Sequence, residues 1–213
     1  MKKGLLFAFA TIIFYCRISA QSHTVGLNGG LSRNGVINYG YAVGQNQNNN
    51  FAVGINYEAC TKMNIRLGAE LLYDRRGFDL GYTVITTTGD YTIKNQHHIN
   101  YLSVPLKIGY QIGNRYFMFA DVGICPSYKV KSTLTYPLID STGNSIGSKK
   151  EHLEDINNYD IGGFWDCGLG YNLYDKFSIV AVMRRQRSFW NFSDLYAMKH
   201  QFMTISLAFR YKL

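Results

Sequence analysis

From Ser22 to the C-terminus the chain repeats one pattern: apolar and polar residues alternate for about ten positions, then a turn intervenes. The last run is the clearest. Met203, Ile205, Leu207, Phe209, Tyr211 and Leu213 alternate with Thr204, Ser206, Ala208, Arg210 and Lys212. A period of two over such a length is a β-strand with one apolar and one polar face. Leu102, Val104, Leu106, Ile108, Tyr110 and Ile112 form a second apolar face, opposite Tyr101, Ser103, Pro105, Lys107, Gly109 and Gln111. Pro105 removes a ladder donor, a mild objection to a central strand that a bulge would absorb. The same reading predicts eight strands, at 22–32, 51–60, 63–79, 98–111, 115–131, 159–173, 176–187 and 199–213. No useful helical periodicity, heptad or internal domain boundary follows Ser22.

The connections alternate in length. Short ones fall at Thr61-Lys62, Gly113-Asn114 and Tyr174-Asp175; long ones, rich in Asn, Ser, Gly and Lys, fall at 33–50, 80–97, 132–158 and 188–198. Three short turns and four long loops suit an eight-stranded up-and-down barrel with both termini on the short-turn side. Outer-membrane barrels have this asymmetry, and closure removes the sheet edges. The expected fold is all-β: a closed antiparallel up-and-down transmembrane β-barrel of about eight strands.

Alternation alone does not say which face points inward, because a soluble lipocalin-like barrel turns its apolar face to a ligand. The polar face is rich in glycine (Gly26, Gly30, Gly54, Gly68, Gly109, Gly123, Gly162, Gly168, Gly170), which suits a narrow lumen packed with side chains. It also carries Glu58, Arg66, Glu70, Lys107, Asp121, Asp166, Arg184 and Arg210 at mid-strand. Within a closed lumen these predict a structural network of paired charges. Aromatics gather at both ends of the apolar faces: Tyr57, Tyr110, Tyr116, Tyr171, Phe177 and Tyr211 near the short turns, and Tyr73, Tyr128, Trp165 and Phe189 near the long loops. Two belts separated by aliphatic residues match the interfacial girdles of membrane barrels. The prediction is therefore polar face inward, lipid outward.

Residues 1–20 read as a cleaved signal peptide, with the barrel domain over 21–213. Lys2 and Lys3 form a basic start, Leu5 to Tyr15 an apolar core too short to span a bilayer, and Arg17-Ile18-Ser19-Ala20 leads to a small residue at the cut. Cys16 raises a lipoprotein signal, against which stand the bulky Phe14 and Tyr15. Charged residues make up 17%, below the roughly 25% of soluble domains, and there are 17 tyrosines. Of 22 basic residues, Lys2, Lys3 and Arg17 lie in the leader, which leaves 19 against 14 acidic ones. That surplus is too modest and dispersed for nucleic-acid binding. Cys60, Cys125 and Cys167 show neither a disulfide framework nor zinc spacing.

Basic residues collect where strands meet long loops: Arg75, Arg76, Lys129, Lys131, Arg184, Arg185 and Arg187. Such a rim would meet phosphates of an outer-leaflet glycolipid, although solubilising charge explains it equally well. The site reading assigns Arg184 to the lumen and the other six to the rim. No catalytic constellation stands out. His97, His98 and His152 sit in or beside loops, and His200 is about 13 Å along its strand from Thr204, so it reads as solvated. Glu154, Asp155 and Asp160 lack the spacing of a dedicated calcium loop. The reading assigns no catalytic residue, metal or cofactor.

Four segments carry a family likeness: Tyr101-Leu102-Ser103-Val104-Pro105-Leu106-Lys107, Tyr116-Phe117-Met118-Phe119-Ala120-Asp121-Val122-Gly123, Asp166-Cys167-Gly168-Leu169-Gly170-Tyr171, and Thr204 to Tyr211. With the Ala20-Gln21 junction, the chain resembles the PorT-like outer-membrane β-barrel domain found widely in Bacteroidota. The resemblance spans nearly all of the chain after the leader and implies a location and a fold more than an activity. Its namesake takes part in secretion, a role that would extend here by analogy alone. The C-terminal Leu213 departs from barrels that end in an aromatic, with Tyr211 and Phe209 as substitutes. The expected function is an anchoring or interaction module of the bacterial outer membrane, with an unknown envelope or extracellular protein as partner. A membrane-embedded lipid-modifying enzyme and a narrow channel are the alternatives.

Overall fold

A computed structural model describes residues 20–38, 44–86, 89–140, 145–153, 155–193 and 198–213. The signal-peptide reading of residues 1–20 falls, but for Ala20, outside the described residues. Among the described residues the strands are β1 (Ala20–Asn38), β2 (Gly44–Thr61), β3 (Ile65–Thr86), β4 (Gly89–Ser103), β5 (Leu106–Gly113), β6 (Tyr116–Ile139), β7 (Ser145–His152), β8 (Tyr159–Tyr174), β9 (Phe177–Ser188) and β10 (Met198–Lys212). All pair antiparallel, and the ring closes where β1 meets β10 from Thr24↔Lys212 to Asn38↔Met198.

Nine of the ten strands make eight staves. β4 and β5 lie end to end, both between β3 and β6. The break is at Val104-Pro105, where the expected bulge becomes a full interruption. Proline has no N–H to give, yet its carbonyl still accepts from Glu70 N at 2.9 Å, and Val104 N donates to Pro126 O at 2.9 Å. The fourth stave is thus kept in register across the gap. The turns are tight where expected: Asn64 and Gly113 adopt positive φ (61° and 95°) beside two of them, which Gly and Asn tolerate best.

The apolar face turns outward. Leu27, Leu31, Ile205 and Leu207 are exposed, while their neighbours Ser32, Thr204 and Ala208 are buried. Inside, ring and glycine interlock. Phe117 and Phe119 lie across Gly170 and Gly168 of β8, where any Cβ would overlap the rings. Aromatic pairs ring both ends of the outer face, Tyr116 with Tyr171 (4.8 Å) and Phe177 with Tyr211 (5.2 Å) at the short turns, Tyr128 with Tyr159 (5.2 Å) and Phe51 with Tyr73 (6.4 Å) at the other end.

Three of the expected long loops are largely strand. β1 and β2 continue through most of 33–50, β3 and β4 through most of 80–97, and β6 runs on to Ile139 and pairs with β7 inside 132–158. The β6–β7 extension was invisible to alternation because residues such as Lys149 and Lys150 need no buried face; backbone pairing holds it, with Tyr136 donating to Glu151 at 2.8 Å. β6 pairs with β8 as far as Tyr128, then takes β7 as its new neighbour from Thr133. β7 stands off the barrel with all eight residues exposed.

Candidate functional site

The lumen is filled in layers. At the short-turn end, Arg66 donates to Glu58 (2.8 Å) and Gln111 (3.0 Å), lies 3.3 Å from Asp121, and stacks over Phe119 at 3.7 Å. Arg210 of β10 reaches Glu58 of β2 at 2.7 Å across the intervening β1. Lys107 bridges Glu58 (2.8 Å) and Glu70 (2.6 Å). Arg184 makes two bidentate contacts, to Asp166 (2.7 and 2.7 Å) and Glu70 (3.0 and 3.1 Å). The eight charged residues singled out on the polar face thus stand together, four carboxylates among four cations, all buried. Strand parity puts them there: each sits on the inward phase of its stave, and ion pairing within the lumen offsets charges that the lumen cannot solvate.

A second layer lies above this one. Arg76 is 1% exposed and donates to Asp74 (2.6 Å), Asp160 (2.6 Å), Ser103 (3.1 Å) and Ser127 (2.7 Å). Its guanidinium also faces Tyr101 at 4.2 Å, and Ser188 donates to Asp160 at 2.7 Å. This corrects one expectation. Arg76 is not a rim residue, because β3 turns even-numbered side chains inward and Arg75 outward. Asp160 lies in β8, within the strand expected at 159–173, and is buried there. The signal that could have found this layer was present, since Asp74 and Arg76 are two apart on the phase of Glu70.

The third layer is an apolar cap. Val36, Phe78, Ile99, Tyr101, Ile156, Phe192 and Met198 cluster in the mouth at the long-loop end, with Leu80 and Leu153 against them. His200, expected to be solvated, is buried here: Phe192 stacks on it at 4.0 Å and Tyr101 Oη lies 3.3 Å from Nε2. Ile156 and Phe192 come from connections that composition marked only as polar, so alternation gave no hint of them.

The remaining rim residues divide by parity. Lys129 points inward and donates to Ile156 O. Arg75 and Lys131 face out and both neighbour Asn100. Arg185 and Arg187 face out on β9. A cavity of about 40 Å³ remains inside the network, against about 750 Å³ in a polar vestibule at the short-turn end. Among the described residues no cluster of His, Cys, Asp and Glu is placed to hold a metal ion, and Cys60, Cys125 and Cys167 are free thiols. Chemically, the interior provides an electrostatic plug of paired charges; His200 lies against the Phe192 ring and is buried.

The chain belongs to the family of the outer membrane protein beta-barrel domain, which it matches over residues 19–212, and the bacterial outer membrane is its location. No curated protein matches it. Among solved structures it is similar to the outer membrane protein OprG from Pseudomonas aeruginosa, at 8% identity and a TM-score of 0.50, over 92% of this chain and 97% of that one. It is also similar to Ail, the attachment invasion locus protein of Yersinia pestis, with 14% identity, a TM-score of 0.45 and coverage of 89% and 99%. At 8% identity the likeness to OprG speaks for the barrel fold alone.

Proposed function

We propose that this member of the outer-membrane barrel family is a plugged anchor that presents a protein-binding arm outside the cell. The observation that carries this reading is β7. Among the described residues it pairs only with β6, so its other edge offers unpaired N–H and C=O groups in a strand of eight exposed residues. Such an edge takes up an extended segment of a partner by strand addition. Lys149, which pairs with Glu151 at 2.7 Å, and Lys150 put charge on this edge that disfavours pairing with a second copy. Support for the plug comes from the three filled layers, with a cavity of only about 40 Å³ inside the charge network among the described residues. A part in secretion or surface assembly, implied by the PorT-like resemblance, fits the same arm by analogy. Lipid modification is the competing reading, and incubation with outer-leaflet glycolipid followed by mass analysis separates it.

A photo-crosslinking side chain at Gly147 or Ser148, activated on intact cells, tests the arm. One discrete protein adduct is expected there and none from lipid-facing Leu207. Absence of any adduct along β7 would refute the binding arm.

A further inference from the structure

On the outer face of β3, β4 and β6 the character of the wall changes within one step. Tyr73, Leu102 and Tyr128 are exposed register neighbours and mark the membrane edge, where such aromatics settle. One alternate position toward the loops, ~7 Å further, Arg75, Asn100 and Lys131 stand side by side. The next row is Gly77, His98 and Thr133. No side chain in these two rows is apolar. The pairing of β4 with β6 shifts between Tyr101↔Lys129 and Asn100↔Lys131, so Val130 is an extra residue. That bulge turns Lys131 outward although Lys129, two residues earlier, reaches inward to Ile156 O. Bulges that re-aim a side chain gather at functional sites.

Polar atoms on this face lack partners. Arg75 Nε is buried without a hydrogen-bond partner, and so is His98 Nδ1. Gly77 leaves a recess beside the ring, because a Cβ there would lie 3.0 Å from His98 Nδ1. Among the described residues neither Arg75 nor Lys131 enters an ion pair. The carboxylate of Asp79, two rows beyond Arg75, accepts from Asn48 at 2.5 Å. Burial, with the neighbouring charges of Arg75 and Lys150, holds the His98 pKa below its ordinary value, against the opposing pull of Asp79. The ring is therefore neutral near pH 7, able to donate at one nitrogen and accept at the other.

We infer that Arg75, His98, Asn100 and Lys131 form a binding site for the sugar-phosphate head group of an outer-leaflet glycolipid, seated just above the Tyr73, Leu102 and Tyr128 row. Neighbouring strands are ~5 Å apart, so Arg75 and Lys131 start about 10 Å apart and their long side chains reach one phosphate over Asn100. The guanidinium takes phosphate oxygens in bidentate fashion and the ammonium adds a point charge. Asn100, His98 and Thr133 offer donors and acceptors to sugar hydroxyls. A protein partner would need an apolar or aromatic anchor, which these rows do not provide. The long-loop end of an outer-membrane barrel faces the outer leaflet, which selects a glycolipid over an inner-leaflet phospholipid. The site lies on β3, β4 and β6 and makes no use of the free edge of β7, so either proposal can fail alone.

The test uses the full protein in nanodiscs holding the phosphorylated glycolipid, the same lipid with its phosphates removed, or phosphatidylglycerol. Lipid retained through detergent exchange is read by native mass spectrometry. The wild type should retain the phosphorylated glycolipid at least about tenfold better than either other lipid, the order expected from charge-assisted hydrogen bonds. The R75Q/K131Q variant, with its folded-barrel gel mobility checked, should lose that preference, whereas R33Q/R185Q on the other wall should keep it. Unchanged retention by folded R75Q/K131Q, or equal retention of all three lipids by the wild type, would overturn the site. Should R75Q/K131Q fail to fold, wild-type retention decides: it must fall with added salt as charge contacts at the surface are screened, and salt-insensitive retention counts against the proposal.

Discussion

Arg184 and Arg185 are adjacent in the chain and occupy opposite worlds. Arg184 is held by two carboxylates in a closed lumen, while Arg185 stands exposed above a lipid-facing apolar lane beside Trp165. Arg76 and Arg75 repeat the contrast on β3. In both pairs one step of a strand with period two separates a structural charge from a surface one. Charges on a barrel are therefore to be sorted by phase, not by closeness in sequence.

The contrast breaks most visibly when the inner member is removed. R76M leaves Asp74 and Asp160 without their shared cation, and breaking a buried pair this way costs about 3–5 kcal/mol. Denaturant unfolding in micelles should show that loss, while R75Q stays within about 0.5 kcal/mol of the wild type. Equal effects of the two would mean that phase does not sort them. Next in size, G170V forces a side chain into the Phe117 ring, an overpacking expected to cost about 1–3 kcal/mol. F117A should partly relieve it in the double variant, and additive losses would argue against the interlock.

A pH effect probes the cap. His97 stacks on Phe78 at 4.6 Å, and burial holds its pKa down to about 4, with His98 adding to the shift and Asp79 opposing it. The unfolded ring titrates near 6.5, so between the two values the unfolded state binds more protons. The contribution is complete above about pH 6.5 and is lost as pH falls toward 4. Ring NMR titration should place the His97 midpoint near 4; a midpoint near 6.5 would show the ring to be solvated. The smallest effect concerns the arm. Replacing residues 134–152 by a short turn should leave the unfolding midpoint of the barrel nearly unchanged, because β7 touches no lumen layer. A marked drop would make the arm part of the barrel's own stability.

The barrel was legible wherever a strand has one face in lipid and one in the lumen, because burial then writes a period of two into the residues. Leu102 to Ile112 and Met203 to Leu213 are such stretches, and so are the phases that carry Glu58, Lys107 and Arg184. Above the lipid the signal fades. Ser145 to His152 is a strand with water on both sides, so its residues carry no alternation to read. The cap was hidden for a different reason: Ile156 and Phe192 are single apolar residues in polar connections, and only the three-dimensional return of those segments into the mouth gives them a role. Arg76 was legible in type and misplaced by one residue of phase.

The account rests on a lumen stopped by paired charge and capped by apolar side chains. Planar-bilayer recording of the full protein tests it directly. No stable openings are expected at ordinary voltages, with conductance appearing only once R76M or R184M opens the network. Stable, uniform openings in the wild type would contradict the plug and with it the reading of the barrel as an anchor.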